Sequence, residues 1–94
     1  MRRLIVLLGL AACSGAPPIA TAVDAQRAHV ELADLEHGRT LLVAKCGGCH
    51  QVPLPSAHTA RDWPIKLDEM AARSKLDVEQ RRSIEKYLVV MAPR

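Results

Sequence analysis

Residues 46–50 read Cys46-Gly47-Gly48-Cys49-His50, and no other stretch restricts the fold so strongly. Two thiols three positions apart, followed at once by a histidine, have the C-x-x-C-H spacing that attaches a c-type haem. The chemistry explains the spacing. Each thiol bonds one vinyl group on the same edge of the porphyrin, and the imidazole of His50 comes to lie under the iron as the proximal axial ligand. The two glycines leave room for a flat ring close to the backbone. A chain with this motif is expected to fold around a large apolar disc.

Other uses of paired cysteines fit less well. A thioredoxin-like C-x-x-C belongs to a βαβ setting, and this chain has no strand-rich run. A structural zinc site needs four ligands, usually two such pairs. Only His29, His37 and His58 remain to complete one, and they stand at no recognisable spacing. The expectation is one haem c held covalently by Cys46 and Cys49, with His50 on the iron.

The N-terminal segment reads as export machinery. Met1-Arg2-Arg3 is a short basic stretch, and Leu4 to Leu10 is an apolar run too short to span a bilayer as a helix. Leu10-Ala11-Ala12-Cys13 follows and resembles the lipobox of bacterial lipoproteins. In that class the cysteine is diacylated and becomes the mature N-terminus. The resemblance implies a signal peptide over residues 1–12, lipidation of Cys13, and a domain held to a membrane without a transmembrane helix. Ser14 after the cysteine leans, by analogy with bacterial sorting rules, toward the outer membrane. The alternative is an ordinary signal peptide cut after Ala20-Thr21-Ala22. Both readings put the mature protein on the periplasmic side, where c-type haem is attached.

Charge points away from nucleic acid. The whole chain carries a formal +3, but removing Arg2 and Arg3 leaves 11 Lys plus Arg against 10 Asp plus Glu. Haem propionates would make the mature protein slightly acidic.

The rest of the chain reads as helices and loops. Residues 13–29, with Pro17, Pro18 and several small side chains, read as a flexible tether. Residues 30–94 read as the haem domain. Val30, Leu32, Leu35, Leu41 and Leu42 recur at near-helical spacing up to Lys45. Gly38 interrupts that run, and a mid-helix glycine costs roughly 1 kcal/mol against alanine, so a close backbone contact is the natural reason for it. Gln51 to His58, with Pro53 and Pro55, reads as a loop. A second helix covers Trp63 to Arg73, with Pro64 in its first turn. Asp77 with Gln80 forms a capping-box pattern before a last helix from Val78 to about Met91. That helix buries Ile84, Tyr87, Leu88 and Met91 and exposes Arg81, Arg82, Glu85 and Lys86. The fold expected is all-α, three helices wrapped around one haem. A folded part of roughly 60 residues is marginal alone, so the apo form is expected to be largely unfolded.

These residues together resemble a class I cytochrome c over nearly the whole haem domain. In that family the first helix runs straight into the haem motif, and a glycine eight residues before the first haem cysteine packs on the C-terminal helix. Here that glycine is Gly38, with Leu42 where an aromatic is common. The family's C-terminal helix often reads Ile-x-x-Tyr-Leu, matched by Ile84-Glu85-Lys86-Tyr87-Leu88. The resemblance implies that Gly38 and Leu42 cross Ile84, Tyr87 and Leu88. It also implies a methionine as the second axial ligand, ahead of the last helix, and Met70 lies seven residues before Asp77. A thioether favours reduced iron and raises the potential. The family methionine is commonly followed by proline, whereas Ala71 follows here. The short interval after His50, with Trp63 ahead of Met70, is similar to a subset of short bacterial cytochromes. Other occupants of the sixth position are His58, which would lower the potential, or none. Met91 is expected to pack, and His29 and His37 to face solvent. Pro53 or Pro55 is a candidate to offer a carbonyl to His50 Nδ1, which would fix the imidazole. Trp63 is expected on the haem or in the core.

The function these features imply is single-electron carriage between redox partner proteins, not enzymatic turnover. No Gly-rich phosphate loop and no Ser/His/Asp set is visible, and no small-molecule substrate is expected. Two other roles use the same residues: a haem subunit docked on a periplasmic dehydrogenase or reductase, and a haem-based gas or redox sensor with a displaceable Met70.

Overall fold

The computed structural model describes residues 15–47 and 52–93. Among the described residues all regular structure is helical: α1 (Ala22–Ala28), α2 (Leu32–Cys46), a 3-10 turn (Pro55–Ala57), α3 (Trp63–Ser74) and α4 (Val78–Met91). The all-α expectation therefore holds, with four α-helices where three were expected.

The added helix is α1. The stretch read as a tether over residues 13–29 contains a capping box, Thr21-Ala22-Val23-Asp24. The Thr21 hydroxyl accepts from the Asp24 amide, and the Asp24 carboxylate accepts from the Thr21 amide at 2.9 Å. These reciprocal bonds satisfy donors that a helix start leaves open. The helix stops at His29, which adopts φ 59° and sends its amide back to Ala25 and Gln26. Ala25 is buried beside Ala20 and Leu35, so α1 is a packed element.

The main packing is between α2 and α4. Leu35, Gly38 and Leu42 form the buried edge of α2, and Ile84, Tyr87 and Leu88 that of α4. Gly38 sits at the crossing. A Cβ there would lie 2.8 Å from Tyr87 Cβ and closer still to the Ser83 carbonyl oxygen. Only glycine lets the two backbones approach this far. An ion pair from Lys86 to Asp34 at 3.2 Å flanks the crossing.

Helix α3 closes the core from another side. Trp63 and Leu67 join Leu42, Ile84, Tyr87 and Leu88 in one fully buried cluster. Arg81 ties α4 to α3 by donating to Asp68 at 2.6 Å and to the Pro64 carbonyl at 2.9 Å. Asp77 and Gln80 make the expected capping box at the start of α4. Lys75, at φ 56°, turns the chain between the two helices.

Candidate functional site

Cys46 is the last residue of α2. Leu35, Gly38 and Leu42 anchor that helix on α4, so the position of Cys46 follows from the α2–α4 crossing. Its side chain is half-buried and packs on the main core cluster. Gly47 caps the helix with its amide donating to the Val43 carbonyl at 3.0 Å. A Cβ on Gly47 would lie 2.6 Å from that carbonyl oxygen and 3.2 Å from Val52 Cγ2. The absence of a side chain at Gly47 therefore leaves room for the Val43 carbonyl and for Val52. Cys49 and His50 lie outside the described residues, as does Cys13.

Met70 lies within α3, on a regular helix and not on a loop. It is half-buried, and with Val52 and Leu76 it packs on the same core cluster as Cys46. The fold thus brings the first haem-motif sulfur and the candidate thioether ligand to the rim of one apolar core. A thioether among apolar side chains is one of the ligand types that a haem iron takes. Among the described residues no group of three or more His, Cys, Asp or Glu gathers as a metal site.

Trp63 and His58 are defined by their contacts. Trp63 is fully buried, and its indole N–H donates to the Pro55 carbonyl at 2.9 Å. It is a core residue that ties the 3-10 turn at Pro55 to α3. The Pro55 carbonyl, a candidate partner for His50, is already engaged by Trp63. His58 stands edge-on against Trp63, with ring centroids 4.8 Å apart and planes at 88°. His29 and His37 are exposed, as expected, and Met91 packs on both buried clusters.

Sequence reasoning missed the N-terminal strap that buttresses this core. Pro17 is buried, and its carbonyl accepts from Arg39 Nε on α2 at 3.0 Å. The Pro18 carbonyl accepts from the Tyr87 hydroxyl on α4, and Arg27 donates to the Val90 carbonyl at 3.2 Å. Burial pushes the Tyr87 phenol up to about 12, an effect that the nearby Arg39 charge only partly offsets. The Thr21–Asp24 spacing was the one signal in the sequence that could have revealed this element.

Comparison with protein-family models, curated proteins and solved structures returns no match.

Proposed function

We propose that the protein is a monohaem c-type electron carrier on the periplasmic side of a bacterial membrane. Cys46 and Cys49 hold the haem, His50 is its proximal ligand, and Met70 is its second axial ligand. A lipid on Cys13 anchors the protein. The observation that carries this reading is Cys46: the C-x-x-C-H motif starts on the last, half-buried residue of α2, and the core that Cys46 borders is also bordered by Met70.

The bound haem would supply a reversible one-electron couple, and the chain's own residues do the rest. The Gly38 crossing sets where the end of α2 lies. The half-buried Leu41, Val52 and Leu76, packed on the Leu42–Leu67–Ile84–Leu88 core, keep apolar surface that a ring could cover, and excluding water would favour the reduced, less charged iron. Trp63 and Pro55 hold the loop that leaves the motif. His58 packs edge-on against Trp63, which supports Met70 over His58 at the sixth position.

The test is the optical spectrum of the purified holo-protein, ferric and ferrous, for wild type and Met70→Ala. The expected result is a weak near-red sulfur-to-iron band in the wild type. The variant should lose that band and bind carbon monoxide when reduced. Identical spectra would remove Met70 from the iron and move the sensor role ahead of the carrier role.

A further inference from the structure

The strap and α1 have a consequence for how a lipid-anchored domain sits on its membrane. A flexible 13–29 segment would let the domain stand well away from the bilayer in any orientation. The docked segment does not. Pro17 is buried, and the chain is tied to both main helices through the bonds of Pro17 and Pro18 to Arg39 and Tyr87. Cys13 stands only four residues before the buried Pro17. At full extension four residues span about 14 Å, roughly half the thickness of a bilayer's hydrocarbon core. Whatever the strap exposes is therefore held beside the lipid headgroups.

The strap and α1 expose apolar side chains. Ile19 is 70% and Val23 68% accessible, and they stand four residues apart immediately after Pro17 and Pro18. Single exposed apolar residues carry no message on their own. These two are set apart by their tie to an anchoring point. The neighbouring cations are already committed: Arg39 to Pro17, and Arg27 to Asp24 and Val90. Apolar contact, not headgroup charge, is what this surface offers.

We propose that the strap–α1 surface carrying Ile19 and Val23 is a lipid-contact face. The face rests on the bilayer that holds the acyl chains of Cys13 and gives the domain one preferred orientation. This rests on the lipobox reading of Cys13.

The test uses the full-length lipidated holo-protein in vesicles of phosphatidylethanolamine and phosphatidylglycerol. A nitroxide label is placed at Val23→Cys or, as a control, at Val78→Cys. Val78 is 70% accessible, and it lies twelve residues along α4 from the Val90 carbonyl that receives Arg27, about 18 Å at helical rise. Mass spectrometry first establishes the lipid on Cys13 and one label per chain. The expected result is a several-fold higher ratio of oxygen to nickel-chelate accessibility at Val23 than at Val78. Equal, water-like ratios on lipidated protein would overturn the lipid-contact face and leave the anchor standing. An unlipidated N-terminus would overturn the anchor, and this face with it.

Discussion

At Gly38 the missing side chain is the structural element. In an exposed helix, replacing glycine by alanine stabilises by about 1 kcal/mol. Here the new methyl would meet the Ser83 carbonyl and Tyr87 Cβ, both fixed to α4, so the helices must part. Gly38→Ala is expected to destabilise the holo-protein by about 1–3 kcal/mol. Denaturant unfolding monitored by circular dichroism reads the sign directly. Trp63 makes a second residue-scale test. Trp63→Phe keeps an aromatic body but leaves the carbonyl of the buried Pro55 without its indole donor, a loss expected to cost about 1–3 kcal/mol. The Gly38 crossing was legible through the resemblance to class I cytochromes c, whereas the bond from Trp63 to Pro55 left no trace in the sequence. Gly38 stands eight residues before Cys46, and Ile84, Tyr87 and Leu88 share one helical stripe. Met70 was legible as an apolar helix-face residue; its chemistry depends on what faces it.

At the scale of elements, α2, α3 and α4 were legible through apolar periodicity, and α4 through its Asp77–Gln80 capping box as well. The sequence concealed α1 and the strap. Two prolines and a run of small residues look like a tether, because the element's stability comes from backbone carbonyls meeting Arg39 and Tyr87, and such bonds leave no periodic trace. The ties of this element titrate. The Asp24 carboxyl is held below the usual 3.8, first by the backbone bond from Thr21 and also by Arg27. A lowered acid contributes stability that is complete above about 4 and is lost as pH falls through the folded value. Hydrogen-exchange protection of α1 should therefore fall on acidification below about 4, and Asp24→Asn should abolish that dependence. Tyr87 works from the alkaline side. Its phenol is raised from 10.0 to about 12, so its contribution is complete below about 10 and is lost as the pH climbs toward 12. Tyr87→Phe should flatten that alkaline limb in an unfolding series and loosen the strap.

At the scale of the whole molecule, the fully buried large side chains among the described residues are few: Trp63, Tyr87, Leu35, Leu42, Leu67, Ile84, Leu88 and Pro55. The surface ion pairs, Arg82 with Glu79 among them, are exposed and contribute little. A core of this size is marginal by itself and gains from a further apolar body. If covalent haem is that body, as proposed above, the chain without it is expected to be largely unfolded. The most direct measurement is a haem stain after denaturing electrophoresis, run beside far-ultraviolet circular dichroism, for the wild type and for the Cys46→Ala/Cys49→Ala double variant. The expected result is a stained wild-type band and a helical signal, both lost in the variant. A wild-type band that takes no stain, or a variant that keeps it, would contradict covalent attachment at these two cysteines.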